Sequence, residues 1–385
     1  MNNQIKLKLL IFFGTRPEAI KMAPIIHKIK NSDYPVAQKI VVTAQHRDML
    51  DQVLEVFEIE PDYDLNIMQA EQTLSDITKR AIDKFESVID EVNPDLVLVQ
   101  GDTTTAFVGG LVSYYHKIPV GHVEAGLRSF DKFNPFPEEI NRRLISVVSD
   151  LHFVPTQIAK TNLLNEGINS EYVFITGNTV IDALLIASNK DLKVQDWIEN
   201  IDKSRRIILL TTHRRENIGQ EMENIFKAVR EIVLSHADVT VVYPVHKNPK
   251  VRELAYKYLD KVDGIILTNP LNYGDLISVL KRCYIVLTDS GGIQEEAPTF
   301  GKPVLVLRKV TERPEGVRAG VAKVVGTDYR NILSEVSKLL GDDLEYQKFS
   351  RSANPYGDGK ASQRLLEAVL YYFNITKKRP LDFEL

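Results

Sequence analysis

The stretch Tyr284-Ile-Val-Leu-Thr-Asp-Ser-Gly-Gly-Ile-Gln-Glu-Glu-Ala-Pro-Thr-Phe-Gly-Lys-Pro-Val-Leu-Val-Leu307 predicts a single βαβ unit. A buried strand leads into a Ser-Gly-Gly turn, and a short helix that ends at Pro298 and Gly301 leads into a second buried strand. The two glycines allow a ligand to approach the backbone closely, and the free N–H groups at the start of the helix suit a phosphate. Glu296, one turn into the helix, is placed to accept hydrogen bonds from a sugar diol. The alternative is that the glycines only form a tight turn.

The same alternation of short apolar runs and helical segments covers nearly the whole chain, which predicts an α/β fold with mainly parallel sheets. Besides the two strands of the opening unit, the apolar runs that we predict as strands are 8–13, 39–43, 96–100, 120–123, 151–154, 173–176, 207–212, 239–244, 265–268 and 322–325. Between 178 and 206 the pattern loosens into a charged helix and a connector. A chain of 385 residues also exceeds what one core usually organises.

We therefore predict two Rossmann-like, doubly wound domains with a cleft between them. The first covers residues 1–180, with a C-terminal helix at 363–385 that packs back on it, and the second covers residues 181–362. In such sheets ligands bind beyond the carboxyl ends of the strands, so the loops after the apolar runs are the expected binding loops.

Composition excludes several classes of protein. A net charge of −4, with acids and bases well mixed, favours binding to neither nucleic acid nor an anionic membrane. The only cysteine, Cys283, excludes an intramolecular disulfide and a cysteine-built metal site, and we expect a buried thiol. No apolar run approaches a membrane span, and residues 7–13 are followed by Gly14-Thr-Arg-Pro-Glu18 where a signal-peptide cleavage site would stand. We expect a cytoplasmic protein.

Polar and charged residues follow nearly every predicted strand, in greater number than solubility requires. In the first half they are Gly14, Arg16, Glu18, Lys21, Gln45, His46, Arg47, Gly101, Asp102, Glu124, Arg128, Glu138, Glu139, Asn141 and Arg142. In the second half they are Thr212, His213, Arg214, Arg215, Glu216, Asn217 and His246. We expect these residues to meet at the ligand-binding edges of the two sheets.

Each acidic candidate also has a purely structural explanation. Asp102, between a strand and a helix, is a candidate N-cap. Glu124 follows a strand directly, where a half-buried carboxylate needs a partner, and Arg128 is a candidate for that partner. Glu138 opens a helix after a proline, where acids are favoured, and an i,i+4 ion pair on the surface would explain both Glu138 and Arg142.

The basic candidates suit an anion better than a metal. Arg16 and Lys21 lie just past the first strand, which suits phosphate binding, although solvated side chains are the alternative. His213 and His246 have no HExxH or HxxxH spacing, which argues against zinc, so we expect phosphate or hydroxyl donors or else structural histidines. No GxGxxG with a downstream acid and no GxxxxGK[ST] is present, which argues against a nicotinamide or flavin cofactor and against an ATPase. We predict no cofactor and no metal.

Ten segments together resemble the non-hydrolysing UDP-N-acetylglucosamine 2-epimerases, from about residue 8 to about residue 370. They are Gly14-Thr-Arg-Pro-Glu-Ala-Ile-Lys-Met-Ala-Pro24, Thr43-Ala-Gln-His-Arg47, Gly101-Asp-Thr-Thr-Thr105, Gly121-His-Val-Glu-Ala-Gly-Leu-Arg128, Pro135-Phe-Pro-Glu-Glu139, Gly177-Asn-Thr179, His213-Arg-Arg-Glu216, Asp289-Ser-Gly-Gly-Ile-Gln-Glu-Glu296, Thr311-Glu-Arg-Pro-Glu315 and Asn354-Pro-Tyr-Gly-Asp-Gly359. The resemblance implies the two-domain fold of the GT-B glycosyltransferases, a UDP-binding second domain and a homodimer.

The chemistry that this family implies is elimination followed by re-addition. No carbonyl acidifies the hydrogen at C2 of the sugar, so inversion needs oxidation or elimination, and no nicotinamide motif is present. A carboxylate removes the C2 proton while the C1–O bond to UDP breaks, which gives 2-acetamidoglucal and UDP. Return of the proton on the other face and re-addition of UDP give UDP-N-acetylmannosamine.

By resemblance, each candidate residue has an expected role. The catalytic residues are Asp102, Glu124, Glu138 and His213, and which carboxylate takes the proton stays open. The residues expected to bind the UDP-sugar are Arg16, Lys21, Arg142, His213, Ser290, Gly291, Gly292, Glu296 and Arg313. Activation by a second substrate molecule is associated with Gln45, His46, Arg214 and His246, whereas Asp48 and Glu71 depart from the pattern of some relatives. The product is expected to supply cell-surface polysaccharide synthesis.

Three other functions compete with this one. A GT-B glycosyltransferase would use the same Gly-Gly-Ile-Gln-Glu-Glu segment for a UDP-sugar donor, but it needs an acceptor. A hydrolysing epimerase would release free N-acetylmannosamine and UDP. A non-catalytic UDP-sugar sensor has no need for three carboxylates at the sugar end.

Overall fold

A computed structural model of the protein describes residues 7–43, 47–69 and 71–385, without the side chains of residues 47 and 48. The chain divides into two compact units. The first unit comprises Met1–Ile186 and Gly357–Glu384, and the second comprises Ala187–Tyr356 with Leu385. Each unit is built around one parallel sheet, as the alternating pattern of the sequence predicts.

The first unit contains a seven-stranded sheet in which every described pairing is parallel. Its strands are β1 (Leu7–Phe13), β2 (Val36–Val42), β3 (Tyr63–Asp64), β4 (Leu96–Gln100), β5 (Val120–Val123), β6 (Leu151–Val154) and β7 (Val173–Ile175). Its helices are α1 (Arg16–Lys30), α2 (Arg47–Phe57), α3 (Leu74–Val92), α4 (Thr104–Tyr115), α5 (Glu138–Val148), α6 (Gln157–Asn165) and α7 (Thr179–Ser188), of which α7 runs into the second unit.

The second unit contains a six-stranded parallel sheet. Its strands are β8 (Arg206–Thr211), β9 (Val239–Pro244), β10 (Ile265–Thr268), β11 (Cys283–Thr288), β12 (Val304–Val306) and β13 (Ala322–Val324). Its helices are α8 (Asp196–Glu199), α9 (Gln220–Ser235), α10 (Pro249–Leu259), α11 (Tyr273–Arg282), α12 (Gly291–Glu296), α13 (Pro314–Arg318), α14 (Tyr329–Gly341) and α15 (Asp343–Ser350), and α16 (Ala361–Tyr372) returns to the first unit.

The strand order reverses once in each sheet, and these points fix where a ligand can enter. The orders are β3-β2-β1-β4-β5-β6-β7 and β10-β9-β8-β11-β12-β13. The chain therefore leaves β1 and β4 in opposite directions, and likewise β8 and β11, which opens a crevice beyond the carboxyl ends of each pair. The loops after these four strands carry most of the residues that the sequence predicts as functional.

The opening βαβ unit of the sequence is confirmed. It consists of β11, α12, a 3-10 turn at Ala297–Phe300 and β12, and Gly301 ends the turn with a left-handed φ of 64°. Cys283 at the start of β11 is buried, as predicted, and burial raises the pKa of its thiol to about 12. Within the described residues, no helix combines the length and the apolar character needed to cross a membrane.

The C-terminal segment completes the first unit. Helix α16 packs on α1, and buried Asp182 of α7 accepts hydrogen bonds from Ala361 N (3.1 Å), Ser362 N (2.8 Å) and Ser362 Oγ (2.7 Å). Beyond α16, Phe383 N donates to Ile175 O of the edge strand β7 at 2.7 Å. The segment therefore covers both a helix face and an open sheet edge.

Two histidines are buried side by side in the first sheet. His122 of β5 and His152 of β6 are register partners, and His122 Nε2 lies 2.7 Å from Gly101 O. Among the described residues, nothing hydrogen-bonds to Nδ1 of either ring. Burial lowers the pKa of His122 to about 4 and that of His152 to about 3, so both are neutral in the folded protein near neutral pH.

We expect acid to weaken the fold through these two histidines. Because their folded pKa values lie below the ordinary value of 6.5, the unfolded chain takes up protons that the native state cannot. The free energy of unfolding should therefore fall as the pH drops from about 6.5 toward 4, by on the order of 3 kcal/mol for each histidine. Urea unfolding between pH 7 and 4.5 measures this, and His152→Gln should flatten the slope. An unchanged slope in the variant would contradict the assignment.

Candidate functional site

Glu124 lies at the carboxyl end of β5 in a backbone conformation that few side chains adopt. Its φ is 65°, in the left-handed region, which is uncommon for a residue with a side chain and is tolerated where the surroundings enforce it. The turn continues through Gly126, where an added Cβ would lie 2.3 Å from the Ala159 carbonyl oxygen. Only glycine fits there, so the turn that presents Glu124 is fixed by packing.

Three donors from distant parts of the chain hold the Glu124 carboxylate. Lys21 Nζ lies 2.6 Å from both oxygens, Gln100 Nε2 donates at 2.6 Å, and Asn178 Nδ2 donates at 3.0 Å. These contacts favour the ionised carboxylate. The alternative that Arg128 pairs with Glu124 is wrong, because Arg128 instead makes a two-pronged pair with Glu166 at 2.7 and 2.8 Å.

Asp102 and Arg142 form a second charged pair at the carboxyl end of β4. Arg142 Nε and Nη2 lie 2.8 and 2.7 Å from Asp102 Oδ2, and Asn141 Nδ2 donates to the Asp102 carbonyl at 2.9 Å. The N-cap alternative for Asp102 is wrong, because Thr103 caps α4 by accepting from Ala106 N at 3.0 Å. The carboxylate of Asp102 is therefore directed to Arg142.

Glu138 and Glu139 begin α5, where acids favour the helix dipole, but they differ sharply in surroundings. Glu139 is fully buried and accepts from Ser129 N at 2.9 Å and from Phe130 N at 3.3 Å. Glu138 is half-buried, and no described residue hydrogen-bonds to its buried Oε2. Within the described residues, Arg142 pairs with Asp102 and Glu139 and not with Glu138, so the predicted i,i+4 pair is wrong.

In the second unit, two arginines lie beside the Ser290-Gly291-Gly292 turn. A Cβ added to Gly291 would lie 3.7 Å from Arg313 Nη2 and 3.9 Å from Arg214 Nη2. A Cβ at Gly292 would lie 3.6 Å from Oε1 of the buried Glu296. The turn therefore brings backbone N–H groups, two guanidinium groups and a carboxylate to the carboxyl end of β11.

Two separate segments of the sequence converge on α12 and hold this turn in place. Arg313 Nε forms an ion pair with Glu295, and Thr311 Oγ1 donates to Gln294 Oε1 at 2.6 Å. Asn354 Nδ2 donates to the Glu295 carbonyl at 3.0 Å. One structural site therefore contains residues of three motifs that are separate in the sequence, namely 289–296, 311–315 and 354–359.

His213 and His246 each lie two residues after one of the neighbouring strands β8 and β9, and their rings stack on each other. Their ring centroids lie 5.2 Å apart with planes inclined by 16°. Burial lowers the pKa of His213, whereas the Asp289 carboxylate, 3.4 Å from its Nδ1, raises it. The sequence predicts both histidines at strand ends, but it does not predict that they pack face to face.

Some residues that the sequence predicts as functional are not among the contacts described above. Arg16 is half-buried at the start of α1, and Glu71 is exposed with a φ of 54°. Gln45 and His46 lie outside the described residues, as does the side chain of Asp48. The sequence predicts Glu18 only as one of the polar residues that follow a strand, and it predicts no role for Gln100, Asn178 or Asp289. The signal that these four supporting residues share is a polar side chain at, or just beyond, a strand end.

Comparison with known proteins agrees with these motifs. The family model described as UDP-N-acetylglucosamine 2-epimerase matches residues 27–370. The UDP-N-acetylglucosamine 2-epimerase of Bacillus subtilis strain 168 is 51% identical over 379 residues, covering 98% of this chain and 99% of that protein. That of Escherichia coli K12 is 50% identical over 371 residues, covering 94% and 98%.

A solved structure of a UDP-GlcNAc 2-epimerase is also similar to this protein over nearly its whole length. The crystal structure of UDP-GlcNAc 2-epimerase from Neisseria meningitidis bound to UDP-GlcNAc superposes with a TM-score of 0.86 at 47% identity, covering 94% of this chain and 100% of that one. The coverage of 94% of this chain extends over both units.

The buried Glu18 joins the loops after β1 and β4, and its removal should be costly. One carboxylate oxygen accepts from Gly14 N (2.8 Å) and Thr15 N (2.7 Å), and the other accepts from Thr103 Oγ1 (2.6 Å). Burial raises the pKa of Glu18, and these bonds oppose the shift. Glu18→Ala should lower the free energy of unfolding by about 3 kcal/mol, because two backbone donors, one of them buried, lose their acceptor.

The matched control is Asp76→Ala. As Glu18 does with Thr15 in α1, Asp76 accepts a hydrogen bond from the backbone N–H of the N-cap residue of α3, Thr73, but it is half-buried. The substitution should cost about 1 kcal/mol in the same urea titration. Equal costs for the two variants would show that Glu18 is only a helix cap.

Proposed function

The chain belongs to the UDP-N-acetylglucosamine 2-epimerase family, and we propose that it interconverts UDP-N-acetylglucosamine and UDP-N-acetylmannosamine by inverting C2 of the sugar. The observation that carries the proposal is the group of charged carboxylates at the carboxyl ends of β4 and β5. Lys21 holds Glu124 and Arg142 holds Asp102, each at 2.6 to 2.8 Å. Such fixed charges are suited to moving a proton at a sugar carbon.

The reaction that we propose is an elimination and its reversal. One carboxylate takes the C2 proton, the C1–C2 bond becomes double, and the electron pair of the C1–O bond leaves with UDP. The products of this half-reaction are 2-acetamidoglucal and UDP. Delivery of a proton to the opposite face of C2 and attack of UDP oxygen at C1 then give the epimer, so atoms and charge balance without an external oxidant.

The contacts of the three carboxylates support different parts in this exchange. Glu124 is surrounded by donors, which favours its ionised form and a fixed orientation. Asp102 is bound at one oxygen by Arg142, while Glu138 carries a buried Oε2 to which no described residue donates. We propose that all three serve as the acids and bases on the two faces of C2, as the sequence resemblance implies, with Lys21 orienting Glu124 and Arg142 orienting Asp102.

The second unit has the groups that the leaving diphosphate needs. Negative charge grows on UDP as the C1–O bond breaks, and donors held in place lower the barrier by stabilising it. We propose that Ser290, Gly291, Gly292, His213 and Arg313 bind the diphosphate, and that Glu296 binds the ribose. The guanidinium groups beside Gly291 support this assignment.

Two finer assignments are part of the proposal. Substrate activation would use Arg214 and His246 with Gln45 and His46, and the stacking of His246 on His213 would connect such a ligand to the diphosphate site. The product would supply cell-surface polysaccharide synthesis from the cytoplasm, which remains a prediction from the sequence.

We also propose that the protein is a homodimer that associates through α5. Ile140, Leu144 and Val147 are 36, 40 and 78% exposed and follow the i, i+4, i+7 spacing of one helix face. An apolar helix face of this length is uncommon on a monomer surface. The opposite side of the same helix carries Glu138 and Arg142, so association would stabilise the element that positions them.

Incubation with UDP-N-acetylglucosamine alone in D2O tests the reaction. We expect UDP-N-acetylmannosamine with deuterium at C2, seen by NMR and mass spectrometry, because the abstracted proton exchanges with solvent. Glu124→Gln should lower the exchange rate by about 100-fold or more while UDP binding is retained, since the amide cannot serve as an acid or base.

The control is Glu171→Gln, the same chemical change at an exposed position, which should leave the exchange rate intact. Epimerisation that retains the original C2 hydrogen, or that needs a nicotinamide, would contradict the elimination. Turnover only with an added sugar acceptor would indicate a glycosyltransferase, release of free N-acetylmannosamine a hydrolysing enzyme, and UDP-sugar binding without turnover a sensor.

The oligomeric state tests the proposed interface. Light scattering after size-exclusion chromatography should give twice the 43.7 kDa mass of one chain. Leu144→Glu combined with Val147→Glu should give the single-chain mass, because charges on the contact face oppose association. Leu234→Glu, a change at a 63% exposed leucine of α9 in the second unit, is the control and should remain dimeric. A monomeric wild type, or a dimeric double variant, would exclude this interface.

A further inference from the structure

Asp289 is a fully buried carboxylate that the reaction described above does not use. It is the first residue after β11, at the point where the strand order of the second sheet reverses, and its exposed fraction is 0%. A carboxylate removed from water is costly unless donors replace the lost hydration. Its position beside the predicted diphosphate loop makes the identity of those donors informative.

The donors all come from the loop at 212–217 that follows the adjacent strand β8. Asp289 Oδ2 accepts from Thr212 Oγ1 (2.8 Å), His213 N (2.9 Å), Arg214 N (2.9 Å) and Asn217 Nδ2 (3.0 Å). Two backbone N–H groups and two side chains therefore meet at one oxygen. This arrangement fixes the path of the loop, and with it the places of His213 and Arg214.

The other carboxylate oxygen faces the imidazole ring of His213. Asp289 Oδ1 lies 3.4 Å from His213 Nδ1 and 3.1 Å from the His213 backbone nitrogen. A carboxylate beside Nδ1 favours the tautomer with its proton on Nδ1, which leaves Nε2 to interact with a ligand. The stack on His246 restrains the plane of the same ring.

We propose that Asp289 is the positioning residue for His213: its carboxylate holds the 212–217 loop in place and keeps the His213 imidazole protonated at Nδ1. The inference rests on the proposed function only in giving His213 a role toward the diphosphate. Asp289 itself is covered by protein and acts through the histidine.

The charge of Asp289 also controls how readily His213 becomes an imidazolium. Three charged or titratable groups face the ring: Asp289 after β11, His246 after β9 and Arg214 in the same loop. Burial lowers the pKa of His213 most, Asp289 raises it, and His246 and Arg214 lower it. Asp289 is thus the one group of this set that favours the cation, so its loss has a predictable sign.

Asp289→Asn tests the proposal, because it keeps the size of the side chain and removes its charge. In the full-length protein, with the His213 signals assigned by comparison with His213→Gln, NMR titration of the imidazole should show a His213 pKa lower by about half a unit or more. The kcat/KM value for UDP-N-acetylglucosamine should fall about tenfold or more, with its dependence on pH displaced toward acid.

Thr212→Val is the matched control. It removes one of the donors to the same carboxylate but leaves its charge, so His213 should titrate within about 0.2 units of the wild type. An Asp289→Asn protein with an unchanged His213 titration would overturn the proposal, and so would a Thr212→Val protein that shifts the titration as much as Asp289→Asn does.

A measurement on the wild type alone also tests the proposal, even if a variant does not fold. The ¹⁵N shifts of neutral His213 should report the tautomer with its proton on Nδ1, and the opposite tautomer would overturn the proposal. These readouts do not depend on turnover. If the wild type does not epimerise the sugar but Asp289→Asn shifts the His213 titration as expected, only the proposed function is contradicted. If the wild type epimerises the sugar but Asp289→Asn leaves the His213 titration unchanged, only the role of Asp289 is contradicted.

Discussion

A carboxylate that is taken out of water must receive hydrogen-bond donors in exchange, and this requirement organises both units of the protein. Buried acids occur repeatedly at or near the loops that follow strands, and several of them bind donors that are far away in the chain. Glu124 binds Lys21 across 103 residues, and Asp182 binds Ser362 across 180. Because these bonds cross between segments, each carboxylate fixes two or more loops in place at once. The rigidity of the ligand-binding edges follows from these bonds.

The same requirement separates supporting acids from acids available for chemistry. Glu18, Glu139 and Asp289 each accept hydrogen bonds from backbone N–H groups. All three are buried and therefore inaccessible to a substrate. Asp102 and Glu124 are bound by cationic side chains of distant segments, Arg142 and Lys21. Under the proposed function, positioning and proton transfer therefore use the same residue types in different surroundings.

The strands and the opening βαβ unit could be predicted because their signals are local. A nearly uninterrupted apolar run such as Leu96–Gln100 is typical of a strand buried on two faces, and the predicted and observed bounds of β4 coincide. The partners of the charged residues could not be predicted in this way. Arg128 is near Glu124 in sequence, yet Lys21 reaches it because parallel crossovers bring the ends of β1 and β5 to one edge. Likewise, the cap of α4 is Thr103, in an extended conformation, and not its neighbour Asp102.

The path of the chain between the two units has a consequence for how the protein is made. The first unit needs α16 against α1 and the Ser362 donors for Asp182, but those segments are synthesised only after every residue of β8 to β13. Until α16 has been made, the part of α1 that packs on it has no cover, and the second unit has all of its strands before the first unit has its last helix. Nascent chains should thus pass through a stage in which the later half is the more mature one, and that stage is where a chaperone would be of most use.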